Sequence, residues 1–424
     1  MKTLSANTTL PPLDLSRWRK LPFWLVVIGG GLSLIGWGIN PRQFAFSYLT
    51  AFMFFLSICL GSLFLVLMHH LFDSQWMVPL RRCWEHLACL LPVMGLLFIP
   101  IALETLLAGP NNTLYQWMNA NPATDHALHA KQILYNKPMF VVAAVVIFSI
   151  WGLLTYRLRK WSLVQDETGD AQCTFRMRRL AAMGIWIFAF TVTLGSFYWM
   201  KSLEYQWFST MYGVYYFAAS VWVTIPTSYV LALVLKRAGP LREVVQARTF
   251  HDLGMLFLTF TVFYAYIHFA QYFLIWNAAI PEETFWYVKR EHGSWYAVGQ
   301  VIIFGHFLVP FLALLRIDAK LSLGLMLPLC VWGWLMHYNE MMFNIKPVLH
   351  PAGVSWHWLD LTTFAFIGGA LAMMFIRSFL RHAPYPQRDP RIAETMGVYI
   401  APRPVLPQTL SPVPGQPGTG ANPN

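Results

Sequence analysis

The sequence predicts an all-α membrane protein of about ten transmembrane helices, with both termini cytoplasmic. Three observations predict it. The 424-residue chain is 57% hydrophobic and only 12% charged, a composition that belongs to polytopic membrane proteins and excludes disorder for most of the length. Ten long apolar stretches punctuate it, at 22–38, 44–68, 84–107, 139–156, 181–200, 213–235, 253–276, 295–315, 321–336 and 357–376. Each is near the ~20 residues that a helix needs to cross ~30 Å of hydrocarbon, and in lipid only structures that satisfy their own backbone polar groups survive, so the stretches read as helices. Finally, most of the 30 lysines and arginines lie in the N-terminal segment, in alternate connections and in the C-terminal segment. That is the positive-inside pattern.

The net charge of +11 is this bias made visible. Its basic residues flank the stretches, as Arg157, Arg159, Lys160 and Arg176, Arg178, Arg179 do, which points to lipid headgroups and not to nucleic acid. Residues 1–21 form an N-terminal segment whose Arg17, Arg19 and Lys20 hold it inside; no cleavable signal peptide is expected. In the first stretch Gly29, Gly30 and Gly31, with Gly36 and Gly38, thin the helix for close packing. Between the third and fourth stretches lies the longest outer loop, roughly 108–138, with Asn111, Asn112, Pro122, Asp125, His126 and His129. The inner loop 157–180 is basic at both ends and acidic in its middle, at Asp166, Glu167 and Asp170, and is predicted to be solvated. Pro226 and Pro310 are predicted to kink their helices and free carbonyls inside the bundle. Two further outer loops, 277–293 and 337–356, are long enough to form a docking face. The tail 381–424 is rich in proline and glycine, cannot fold alone, and is expected to lie against a partner or stay mobile.

Ionisable groups are expensive in a bilayer, so each needs an account. Counting along the helices puts His306 near the midplane. His268 falls in the outer third of its helix, with Tyr264, Gln271 and Tyr272 on the same face by three- and four-residue spacing. Toward the outer boundary lie Glu104, Lys201, Glu204, His337, Glu340, His357 and Asp360; toward the inner boundary lie His69, His70, Asp73, Glu85, His86, His251 and Asp252. One reading makes these proton-carrying groups, because histidine exchanges protons near neutral pH and a carboxylate can accept one. The other leaves the boundary residues hydrated and snorkelling. An intramembrane haem b needs two facing histidines at one depth, and His306 has no evident partner. The cysteines Cys59, Cys83, Cys89, Cys173 and Cys330 form no Cys-x-x-Cys pair, so neither an iron–sulfur nor a zinc site is indicated; they read as packing residues. Aromatics near helix ends form an interfacial belt.

One segment carries a resemblance. His251-Asp252-Leu253-Gly254 opens the seventh stretch, Gln271-Tyr272-Phe273-Leu274-Ile275-Trp276 closes it, and Ile280-Pro281-Glu282-Glu283-Thr284 follows. Upstream, Trp199-Met200-Lys201-Ser202-Leu203-Glu204 leads to Trp207-Phe208-Ser209-Thr210-Met211-Tyr212-Gly213. Together these resemble the ActF subunits of bacterial alternative complex III, a quinol:cytochrome c oxidoreductase, within the NrfD polysulfide-reductase-type membrane subunits. The commoner family motif, Met-Ser-(Leu/Ile)-Asp-Pro-His, is replaced here by Lys201-Ser202-Leu203-Glu204-Tyr205-Gln206. A histidine and a proline are lost and the carboxylate stays, as Glu204.

The resemblance implies a ten-helix domain over 22–380, with two four-helix bundles at about 44–200 and 213–336 and two peripheral helices, in the bacterial inner membrane. It implies partners: an ActC-like sister subunit, a multihaem cytochrome c, an iron–sulfur protein, small membrane subunits and, in some complexes, a terminal oxidase. Haem and iron–sulfur clusters would sit on those partners and quinol, menaquinol included, would be oxidised at the sister subunit. This chain would hold no electrons, and would support assembly and proton translocation. Its proton-pathway or quinone-side candidates are Glu104, Glu204, His268, His306, His337, Asp360, His251, Asp252, Glu85 and His86. A stand-alone secondary transporter and a purely structural anchor remain the alternatives.

Overall fold

The computed structural model describes residue 14 and residues 16–107 and 114–396. The loop asparagines Asn111 and Asn112, most of segment 1–21 and the tail beyond Met396 lie outside the described residues. Within them the protein is all-helical, and nine helices are long and apolar enough to cross a membrane. They are α1 (Leu21–Ile39), α2 (Pro41–Phe72), α3 (Gln75–Leu107), α4 (Lys137–Thr168), α5 (Gln172–Trp199), α6 (Tyr212–Ala238), α7 (Ala247–Ala278), α8 (Gly293–Leu314) and, after one more helix, α10 (Trp358–Phe379). The ninth predicted stretch, 321–336, folds as α9, Leu323–Ile345, a 23-residue helix. It falls short in hydropathy because its second half carries His337, Asn339, Glu340 and Asn344. Chain entry and the tail 380–396 lie on one face, here the terminal face; the connections α1–α2, α3–α4, α5–α6, α7–α8 and α9–α10 lie on the opposite face.

Burial sorts the helices. The apolar window of α2 is 83% buried and that of α6 is 78%, against 17% for α1. A helix apolar all round belongs in the middle of a bundle, and α2 and α6 pack on each other there. Around them α3, α5, α9 and α10 pack on α2, and α5, α7 and α9 pack on α6. The glycines of α1 act as predicted: a Cβ on Gly29 would stand 2.8 Å from the Phe366 backbone nitrogen of α10, so only glycine permits that crossing.

Several expectations are corrected. The third stretch is not continuous; α3 breaks after Ala88 and at Phe98. The 157–180 segment is no solvated loop: α4 runs on to Thr168 before a left-handed Gly169, and Asp166 pairs with the buried Arg82. The tail as far as Met396 lies against this chain itself. Asp389 bonds Arg81, the Arg391 guanidinium reaches Asp73, and the Thr395 hydroxyl donates to the Gln75 carbonyl at 2.8 Å.

Candidate functional site

Glu340 of α9 is a fully buried carboxylate with no arginine or lysine paired to it among the described residues. Its side chain and those of His306 and His337 are all 0% exposed. His306 comes from α8, where residues Ile302–Leu308 form a π-helical turn. Such turns arise where the i→i−4 ladder is disturbed, and recur at functional sites. Pro310 has no N–H for the turn before it; the freed Gly305 carbonyl instead accepts from the Trp332 indole at 2.8 Å. On α9, three-residue spacing sets His337 and Glu340 on one helical face.

The Nδ1 atoms of both imidazoles stand 3.4 Å from the same carboxylate oxygen, Glu340 Oε2. No arginine or lysine joins them in an ion pair with Glu340 among the described residues. His306 is packed on both sides, with Trp222 at 3.8 Å and Tyr264 at 4.0 Å between ring centroids; Phe54 covers His337 at 5.3 Å. His268, half-buried, stacks with Tyr264 at 5.8 Å and faces Tyr215 at 5.6 Å. These contacts leave no room between the two histidines for a porphyrin, so the pair does not fit a bis-histidine haem. Nor is any trio of His, Cys, Asp or Glu among the described residues placed to hold a metal ion.

Polar groups continue from Glu340 to the opposite face. Tyr215 lies beside the carboxylate and accepts from Asn344 Nδ2 at 3.0 Å, while Tyr212 donates to Asn344 Oδ1 at 3.0 Å. Arg290 Nη2 donates to the Asn344 carbonyl at 3.1 Å and to Glu204 at 2.8 Å. Glu204 also accepts from Lys289, whose side chain is 53% exposed, at 3.0 Å. Burial raises the Glu204 carboxyl, but Arg290 and Lys289 outweigh it and hold it below the usual carboxylate range. Toward the terminal face His306 packs on Trp222, whose indole donates to Thr261 at 2.9 Å and whose ring lies 5.3 Å from Phe257, a fully buried aromatic plug.

The predicted carriers therefore divide. His306 and His337 are brought together, with His268 one ring away; depth counting had separated them by placing His337 at the outer edge. The physical reason is a folded layer over the end of α9. The helix Pro281–Arg290 and the segment after Ile345 cover it, leaving Ile345 and Lys346 0% exposed. Glu340, placed at the boundary by that count and passed over as a carrier, is the centre of the group. Its spacing to His337 was the available signal. Arg290, Asn344 and Tyr215 were missed outright.

The other candidates are fixed elsewhere. Asp360 bonds Lys346, accepts from Ser47 at 2.5 Å and, with His357, caps the start of α10. Glu85 is held between Arg81 and Arg82 at 3.3 and 3.0 Å. His86 meets Arg159 at 3.1 Å and Ser378 at 2.9 Å. His251 and Asp252 face each other at 3.3 Å, partly exposed on the terminal side. Glu104 is half-buried on α3, its carboxylate without a hydrogen-bond partner among the described residues. The hydrated, snorkelling reading thus fails for Glu85, His86, Glu204 and Asp360, which are buried and partnered.

The chemistry open to the central trio is proton storage. A carboxylate facing two imidazoles offers a proton three sites close together, one on the acid and one on either ring. Compared with protein-family models and with curated proteins, the chain matches none.

Proposed function

We propose that this chain is an integral membrane subunit of a bacterial quinol-oxidising respiratory complex of the alternative complex III type, and that its buried His306–Glu340–His337 trio stores and passes protons. The observation that carries the proton role is the environment of Glu340: a fully buried carboxylate whose ion-pair neighbours are groups that exchange protons near neutral pH. A buried carboxylate paired with arginine is locked in one state, whereas one paired with imidazoles is not. The polar line through Tyr215, Asn344, Arg290 and Glu204 favours exchange with the opposite face, and the Trp222–Phe257 plug opposes exchange with the terminal face.

Membership in a respiratory complex rests on the sequence resemblance around 199–213 and 251–284, and on the folded loop layer of the opposite face. In this reading the terminal face is cytoplasmic and the ten helices divide into two four-helix bundles flanked by α1 and α10. Quinol oxidation belongs to an ActC-like sister, and the haem and iron–sulfur clusters belong to the cytochrome and iron–sulfur partners.

The experiment is mild-detergent purification through a tag, with a reduced-minus-oxidised spectrum and mass spectrometry of companions. A c-type haem spectrum with an iron–sulfur protein and an NrfD-type sister is expected. A colourless, solitary protein contradicts the complex and makes a proton-coupled transporter the working reading. In the intact complex, His306→Ala is expected to lower protons released per quinol while quinol oxidation continues; an unchanged ratio contradicts the proton role.

A further inference from the structure

A large cavity lies away from the histidine trio. It is an apolar groove of about 720 Å³ between α2, α3, α6 and α10. Phe55 and Cys59 of α2 sit at its inner end, Leu231 of α6 and Ala372 of α10 flank it, and Arg19 of the N-terminal turn stands at its terminal-face mouth. Along α6 it runs from Thr227 to Ala238, roughly 17 Å at 1.5 Å per residue. That matches the ~15 Å of hydrocarbon in one leaflet, half of the ~30 Å core.

The polarity of the lining says what fits. No Asp or Glu lines the groove. Thr227 is already engaged, donating to the Val223 carbonyl at 2.8 Å and accepting from the Trp334 indole at 2.9 Å. Ser16 is bound to Asp14 through its backbone and hydroxyl. Beyond the weak thiol donor of Cys59 and the Trp18 indole near the mouth, the lining side chains are hydrocarbon, which suits acyl chains better than a quinone head. At the mouth the charge is positive: Arg19 lines it, and Lys20, Arg377 and Arg381 are exposed on adjoining segments. Cations at a membrane boundary attract anionic headgroups.

We infer that this groove is a binding site for an acidic glycerophospholipid of the terminal-side leaflet, its acyl chains along α2, α6 and α10 and its phosphate at Arg19. The inference stands apart from the proton reading, since none of its residues belongs to the trio or to the polar line.

The test is lipid retention by the full-length protein, with whatever subunits accompany it, after extensive detergent washing. Native mass spectrometry identifies what remains, and equal amounts of phosphatidylglycerol and phosphatidylcholine are then offered back. Wild type is expected to keep and prefer phosphatidylglycerol. Ala372→Trp, which fills the groove, is expected to reduce retention by about fivefold or more; Leu231→Phe serves the same purpose if the first variant does not fold. Arg19→Ala is expected to bind lipid without the anionic preference. Wild type that retains no lipid, a zwitterionic lipid or a quinone overturns the inference, as does retention unaffected by both filling variants.

Discussion

Two buried charge clusters sit at opposite ends of the same bundle and are built differently. On the terminal face Arg81 and Arg82, at most 1% exposed, are ion-paired with Glu85, Asp166 and Asp389. Every acid there has a guanidinium. Toward the opposite face Glu340 has two imidazoles and no permanent cation. Both clusters are buried, so burial alone does not mark function. What differs is whether the counter-charge can disappear: guanidinium stays charged at any working pH, while imidazole does not. The first cluster is a clasp that holds the tail to α3, and the second is a site whose protonation can change without a cation being stranded.

The contrast can be broken in several places. Arg81→Ala has the largest expected effect, because it strands Asp389 and leaves Glu85 with Arg82 alone. A loss of about 3–5 kcal/mol is expected for a broken buried pair, read as a fall in melting temperature or failure to purify; a stable variant would mean that the clasp is ornamental. Glu340→Gln comes next and moves a different readout. It keeps shape, so stability should shift by only about 1 kcal/mol, while the proton-transfer rate in the intact complex drops by about 10²-fold. A large loss of stability with normal proton release would reverse the assignment.

Asp389→Asn tests the clasp more gently, at about 1–3 kcal/mol, and should quicken tryptic cleavage at Arg388 and Arg391. The same docking has a pH signature. Burial raises the Asp389 carboxyl, but Arg81 and the Arg391 amide hold it below its usual value. Docking should be complete above about pH 4, the unfolded aspartate value, and fail as pH falls through the depressed folded one. Tail proteolysis unchanged from pH 7 to pH 2.5 would contradict this.

The smallest effect belongs to two lysines of the opposite-face loops. Burial lowers Lys131 to about 8; burial and then Lys131 lower Lys201 to about 8. The unfolded chain binds more protons between there and the ordinary lysine value of ~10.4, so stability should rise slightly as pH passes from about 8 to 10. A melting curve that falls over that range without Lys131→Met or Lys201→Met altering it would contradict the shift.

Much of the architecture was legible in the sequence, because length, hydropathy and flanking charge act along one helix at a time. The glycines of α1 and the proline of α8 were legible for the same reason. Lateral neighbours were not. Depth counting assumes that helix ends lie at the lipid boundary, and α9 breaks that assumption because its end is roofed by Pro281–Arg290. His337 and Glu340 therefore looked peripheral. The tail contacts were illegible because Asp389 and Arg391 find Arg81 and Asp73 about 300 residues away in sequence, with no local pattern to announce it.

The most direct test is infrared difference spectroscopy of the purified protein titrated across neutral pH, with Glu340→Gln as the comparison. The account predicts imidazole and carboxylate bands that change together with pH, the carboxylate part of which vanishes in the variant. A spectrum identical in wild type and variant would mean that Glu340 keeps one protonation state throughout, and the central cluster would then be a structural pair like the one on the terminal face.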